Sequence, residues 1–154
     1  MSESPTRSIP LPDEAATRAF GARLARWLKP GDVVLLSGDL GAGKTTLAKG
    51  VIQTLCGPVE TPSPTFTLVQ MYETADFTLW HADLYRLEDD SEIAELALEE
   101  AFGADVCLIE WPDRLGRYAP EEWLDVSLSF GEAEGRIAAL TAHGHSWTDR
   151  LERF

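Results

Sequence analysis

Cysteine is nearly absent from this chain, with only Cys56 and Cys107 among 154 residues. Each sits in an apolar context, Thr54-Leu55-Cys56 and Val106-Cys107-Leu108, so both read as buried free thiols rather than a bridge or a metal site. Histidine is scarce too, and His143 and His145 stand in a surface-type loop without companion ligands, so no zinc site is expected. Basic residues number 13 against 26 acidic ones, a formal charge of −13. That sign repels phosphate backbones and argues against autonomous nucleic-acid binding. No stretch approaches the roughly 18 uninterrupted apolar residues of a membrane span, and residues 1–12 lack the basic-then-apolar layout of a signal peptide. A soluble, cytoplasmic protein with no membrane partner is the expectation. Internal repeats and low-complexity linkers are also missing, and the length suits one domain, 1–154, able to bury ~70% of its unfolded surface.

What is present is globular in balance, 44% apolar and 25% charged. Charge is unevenly spread: residues 1–58 hold seven basic and five acidic side chains, which leaves a net −15 for residues 59–154. Within the acidic part, residues 88–100 carry seven carboxylates and no base. Such a run is either a solvated helix face or a docking surface for a basic partner.

Asp13, following Pro12, is placed to cap a helix on which Ala16, Phe20, Leu24, Trp27 and Leu28 recur at helical spacing until Pro30-Gly31. Val33-Val34-Leu35-Leu36 is a short β-branched run of the kind buried on both faces of a sheet. A glycine-rich turn follows, then residues 45–55 with Leu47, Ala48, Val51, Ile52 and Leu55 again at helical spacing, stopped by Gly57-Pro58. Residues 66–72 and 77–80 read as an antiparallel hairpin. Ser91 is the expected cap of a helix to Phe102 with Ile93, Leu96, Ala97 and Ala101 inward. Residues 106–109 form a second buried-type strand, residues 124–130 and 136–141 alternate as a late hairpin, and the tail from Ser146 suits one short helix. The order predicts an α/β, three-layer domain like that of phosphate-loop NTPases, its sheet mostly parallel with antiparallel edge strands.

Gly38-Asp39-Leu40-Gly41-Ala42-Gly43-Lys44-Thr45 fits the phosphate-loop pattern G-x-x-x-x-G-K-[ST] and lies between a strand and a helix, as the mechanism requires. Glycines let backbone N–H groups point inward, the helix start adds a positive dipole end, and Lys44 brings a mobile charge to terminal phosphates. Thr45 would place its hydroxyl on Mg²⁺, and Thr46 would meet the α-phosphate. The metal also needs a carboxylate at a neighbouring strand end. Glu110 ends one apolar strand and is favoured as the metal ligand, direct or through water. Asp83 follows another and would orient the attacking water or share the metal. Ser63-Pro64-Thr65-Phe66 lies where many NTPases place a switch, with Thr65 as its sensor, although a proline-set turn gives the same pattern. His81, two residues before Asp83, is either a supporting group behind that carboxylate or a satisfied core histidine, and Trp111 either covers the nucleotide or packs.

Four motifs stand in fixed order: the loop through Thr46, Ser63-Pro64-Thr65-Phe66-Thr67-Leu68, His81-Ala82-Asp83-Leu84-Tyr85-Arg86 and Glu110-Trp111. Together with the opening Ile9-Pro10-Leu11-Pro12-Asp13-Glu14, they closely resemble the bacterial TsaE (YjeE) family, over nearly the whole chain. The resemblance implies an accessory ATPase of tRNA threonylcarbamoyladenosine (t6A) modification, using ATP and Mg²⁺ and binding a TsaD–TsaB complex, with tRNA engaged only through that complex. It also implies a nucleotide site at Gly41, Ala42, Gly43, Lys44, Thr45 and Thr46, metal ligands at Thr45 and Glu110, and Asp13 and Gly135 near the base. After Trp111 the match thins.

The rival enzymatic reading is a small-molecule or protein kinase with the same loop. Kinases of that class usually add an arginine-rich lid, whereas between the Ser63 switch segment and the tail only Arg86, Arg114, Arg117 and Arg136 are available, and no two are adjacent. A GTPase is disfavoured by the lack of an N-K-x-D motif. A binding module whose docking is gated by ATP is the third reading.

Overall fold

The computed structural model describes residues 6–39, 41–59, 69–87, 92–93, 96–133 and 135–154. The elements in chain order are β1 (Thr6–Leu11), α1 (Glu14–Ala25), β2 (Val33–Gly38), α2 (Lys44–Cys56), β3 (Val69–Glu73), β4 (Thr78–Asp83), α3 (Leu98–Phe102), β5 (Val106–Glu110), β6 (Trp123–Phe130), β7 (Arg136–His143) and α4 (Thr148–Arg153). A 3₁₀ segment, Pro112–Tyr118, follows β5.

One seven-stranded sheet has the order β1-β7-β6-β2-β5-β4-β3. Its middle, β6-β2-β5-β4, is parallel throughout. Antiparallel pairs occupy both edges, β3 beside β4 on one side and β1-β7-β6 on the other. The fold is therefore mixed α/β, with the expected antiparallel edge strands around a parallel middle and half of the strand pairings antiparallel.

Alternation along the buried strands separates two cores, because successive side chains point to opposite faces. Val34, Leu36, Val106, Leu108, Leu124 and Val126 join Phe20, Leu24, Leu47 and Val51 beneath α1 and α2. Val33, Leu35, Cys107 and Ile109 face the other way, against Leu98, Ala101 and Leu115. The tail helix closes the first core, its Leu151 and the following Phe154 packing with Phe20. Arg150 fixes that helix by donating to both carboxylate oxygens of Asp32, at 2.7 and 2.8 Å.

Several boundaries differ from expectation for local reasons. α1 ends at Ala25 because the chain tightens into i→i−3 bonds, Trp27 N–H to Leu24 and Leu28 N–H to Ala25, before Pro30. β1 was not read from composition or alternation; Pro10 lies within it, which an edge strand tolerates. The expected helix from Ser91 to Phe102 is not continuous, since Ala97 has φ +60° and right-handed helix begins only at Leu98. Ser91 itself lies outside the described residues. Cys107 is buried as expected, with its thiol pushed up to about 12 by desolvation, whereas Cys56 is only half-buried.

Candidate functional site

The site gathers at the C-terminal ends of the parallel strands. β2 runs into the glycine-rich loop, where Gly38, Gly41 and Gly43 have φ of +142°, +81° and +106°. Gly38 is also sterically required, since a Cβ there would lie 2.5 Å from the carbonyl oxygen of Leu128. These conformations turn the chain sharply enough to start α2 at Lys44 directly above the strand. Ala42 is fully buried behind the loop and its N–H donates to the Asp39 carbonyl at 3.0 Å.

Lys44 is 4% exposed, its Nζ donating to the carbonyls of Gly38 at 2.6 Å and Asp39 at 3.0 Å. The same ammonium lies 4.3 Å from the Trp111 ring centroid, and Tyr85 packs on that ring at 4.8 Å. Burial lowers the Lys44 pKa from its ordinary value, while Glu110, Asp83 and Asp39 pull the other way. Trp111 therefore covers the loop lysine. It does so from the left-handed region, at φ +59°.

β4 and β5 are paired in parallel with Asp83 opposite Glu110 and His81 opposite Leu108. Residues 81, 83 and 110 thus share the sheet face that carries α2. Thr45, in the first turn of α2, donates its hydroxyl to Glu110 at 3.1 Å to Oε1 and 3.3 Å to Oε2. His81 Nε2 stands 2.6 Å from Glu110 Oε2, with both side chains buried. His81 is thereby placed behind Glu110 rather than behind Asp83. Asp83 is half-buried and accepts the Tyr85 N–H at 3.1 Å. Desolvation raises its pKa, the Glu110 charge adds to that, and the Tyr85 hydrogen bond, His81 and Lys44 oppose it.

On the other side of the loop, a cavity of about 500 Å³ opens between α1, the loop and the β6–β7 turn. Asp13, Thr17, Gly41, Gly43, Thr46 and Phe130 line it, together with Arg136. Asp13 caps α1 by accepting the Ala16 N–H at 2.8 Å. Gly135 is buried within the turn, accepting the Gly131 N–H at 2.9 Å, and its neighbours Ala133 and Arg136 reach the cavity instead. Phe130, at the end of an alternating strand, carries no local sequence signal that marks it as a cavity residue. Thr65 and the rest of Ser63-Pro64-Thr65-Phe66-Thr67-Leu68 lie outside the described residues, as does Leu40.

Thr45, Glu110 and Asp83 present only oxygen donors, the chemistry that Mg²⁺ prefers. Among the described residues no three His, Cys, Asp or Glu side chains form a metal cage. Such a donor set fits an ion that keeps waters and takes phosphate oxygens as further ligands.

The family model described as "Threonylcarbamoyl adenosine biosynthesis protein TsaE" matches residues 11–138. The chain belongs to the TsaE family. A relative from Rickettsia bellii, named tRNA threonylcarbamoyladenosine biosynthesis protein TsaE, is 41% identical over 132 residues, covering 85% of this chain and 92% of its own. The protein of that name from Bacillus subtilis is 40% identical over 132 residues, with 85% and 82% covered. Among solved structures, the crystal structure of B. subtilis YdiB superposes with a TM-score of 0.81 at 29% identity, covering 99% of this chain and 95% of that one. The TsaE match takes in every residue of the site, from Asp13 to Arg136. Among the described residues no helix is long and apolar enough to cross a membrane.

Proposed function

We propose that this TsaE-family chain is a Mg²⁺-dependent ATPase with a phosphate-loop NTPase-like site, serving t6A modification of tRNA in the cytoplasm as an accessory to a TsaD–TsaB complex. The observation that carries the ATPase reading is the junction of β2, loop and α2, where Lys44 sits over the loop carbonyls and Thr45 meets Glu110. Turning the Lys44 ammonium from the Gly38 and Asp39 carbonyls toward a phosphate exchanges neutral acceptors for an anionic one, which strengthens its bonds. Thr45 and Glu110 would hold Mg²⁺, which neutralises charge developing on the phosphates. Asp83, raised in pKa and on the same face, would orient water. Adenine is expected over guanine, since no N-K-x-D motif is present, and an ATP against GTP competition titration checks this.

The relatives' names support the tRNA-modification assignment, and the acidic balance of residues 59–154 supports acting on a protein rather than holding tRNA directly. The test is phosphate release from ATP and Mg²⁺ by the pure protein, then with TsaD and TsaB. Slow hydrolysis alone and stimulation by the complex are expected, with negligible tRNA binding by the isolated chain. Release only on adding a hydroxyl acceptor would favour the kinase. The partner reading ends if pull-down and hydrolysis assays with ATP and Mg²⁺ show no complex and no change in rate.

A further inference from the structure

His81 is 1% exposed, on a sheet face where Leu79 and Leu108 belong to the apolar core beneath α1 and α2. Its Nδ1 is buried without a hydrogen-bond partner among the described residues. An unpaired buried polar atom is unfavourable, and an aliphatic side chain here would avoid it, so packing does not account for the histidine. The ring's hydrogen bond is made by Nε2, 2.6 Å from Glu110 Oε2. An ionised carboxylate only accepts, so Nε2 carries the hydrogen. His81 reaches Glu110 diagonally, since Leu108 lies opposite His81 and Asp83 opposite Glu110 in the β4–β5 register. The Thr45 hydroxyl comes closer to the other oxygen, at 3.1 Å from Oε1 against 3.3 Å from Oε2. The two oxygens of Glu110 are therefore unlike: Oε2 is engaged by the histidine and Oε1 is turned to the start of α2.

We propose that His81 is a positioning residue that sets which divalent cation the site prefers: by engaging Oε2 it leaves Glu110 a single oxygen, Oε1, to offer, which favours Mg²⁺ over Ca²⁺; this rests on the reading of Thr45 and Glu110 as the metal ligands. Mg²⁺ demands near-octahedral coordination at short distance and suits carboxylates that give one oxygen, whereas Ca²⁺ takes more ligands, tolerates irregular geometry and accepts a carboxylate through both oxygens. A carboxylate free to rotate could serve either ion. Held by His81 on one side and by the Thr45 hydroxyl on the other, Glu110 keeps one orientation. Hydrogen bonds behind a metal ligand fix its direction in this way. Both side chains are buried, so water does not compete for the bond. The unpaired Nδ1 follows from the same placement, because the ring is set toward Glu110 and nothing on its far side pulls it away.

The test is ATP affinity by calorimetric titration, in Mg²⁺ and in Ca²⁺, with circular dichroism to establish folding. His81→Leu fills the space without a donor, and His81→Gln keeps an N–H near the position of Nε2. His81→Asn, which draws the donor back from Glu110, repeats the leucine test should that variant fail to fold. Expected in His81→Leu is ATP binding in Mg²⁺ weaker by about tenfold or more, the size usual for losing the partner of a metal ligand, with binding in Ca²⁺ unchanged or stronger and the Mg²⁺ preference recovered in His81→Gln. Equal weakening in both metals would overturn the proposal by making His81 a support of the fold alone. An unchanged metal preference in folded His81→Leu, or no recovery with glutamine, would overturn it too. ATP binding by the unaltered protein that is the same in chelator as in Mg²⁺ would instead overturn the metal reading of Thr45 and Glu110, and this inference with it.

Discussion

Nε2 of His81 and Oε2 of Glu110 lie 2.6 Å apart, with the two side chains 2% and 3% exposed. A buried carboxylate requires donors, and Glu110 finds them in His81 and the Thr45 hydroxyl. Removing His81 leaves Oε2 buried without its nitrogen donor. His81→Ala should therefore cost about 3 kcal/mol of stability in urea unfolding, and His81→Gln, whose amide can donate, should recover part of it. An Ala variant as stable as the unaltered protein would show that the pair contributes nothing.

Lys44→Ala should leave the fold intact and weaken ATP binding by on the order of a hundredfold, the worth of one or two charge-assisted bonds. Among the described residues the side chain meets loop carbonyls and the Trp111 ring. Circular dichroism and calorimetry check the two halves. A folded variant with unchanged ATP affinity would remove Lys44 from the phosphate site.

Glu110 and Asp83 should separate in function. Glu110→Gln, which strips charge from the carboxylate facing Thr45, should raise the Mg²⁺ needed for nucleotide binding. Asp83→Asn should slow hydrolysis about 100-fold or more with binding nearly retained. Equal, small effects from both would make them structural strand ends.

That pair shows how far the sequence reached. Asp83 and Glu110 were legible because each follows an apolar run, but their adjacency was not, since it depends on β4 and β5 pairing in a register that no local pattern records. Trp111 lay next to Glu110 in sequence, yet its position over Lys44 follows from a left-handed backbone that no β-branched or helical periodicity announces. Phe130 looked like one more alternating strand residue. Its exposure comes from where the helix layer ends, a tertiary fact. Asp13, Lys44 and Thr45 were readable because capping and phosphate loops are local, specified within a few residues.

Gly50 faces α1 so closely that a Cβ would lie 2.3 Å from the Arg18 carbonyl oxygen, and one at Gly21 would lie 2.3 Å from that of Leu47. Helix propensity alone favours alanine over glycine by ~1 kcal/mol. Backbone contact must win here, because neither carbonyl can move without shifting its helix. Gly50→Ala should destabilise by about 1–3 kcal/mol in urea unfolding and also weaken ATP binding, since α1 carries Thr17 of the cavity and is capped by Asp13. A stabilised variant would mean that the helices separate freely.

Asp125 lies on β6, half-buried, and burial raises its carboxyl pKa above the ordinary 3.8 while His143 pulls it down. A raised folded pKa means that the folded chain holds this proton more readily than the unfolded one. Between the two pKa values the unfolded state binds fewer protons, so stability falls as pH rises through that window and then levels. Asp125→Asn has no such loss. In urea unfolding the variant should match the unaltered protein most closely at about pH 3 and gain on it as pH rises to about 7. Because His143 attracts the ionised carboxylate, removing it should enlarge the gain. His143→Ala also forfeits a ring stack on Trp123 at 4.5 Å, a loss common to the unaltered and the Asp125→Asn backgrounds, so a double-mutant cycle isolates the charge effect. A gain independent of pH would show that the carboxylate is not strained by its burial, and a gain unaltered by His143→Ala would remove the histidine from its environment.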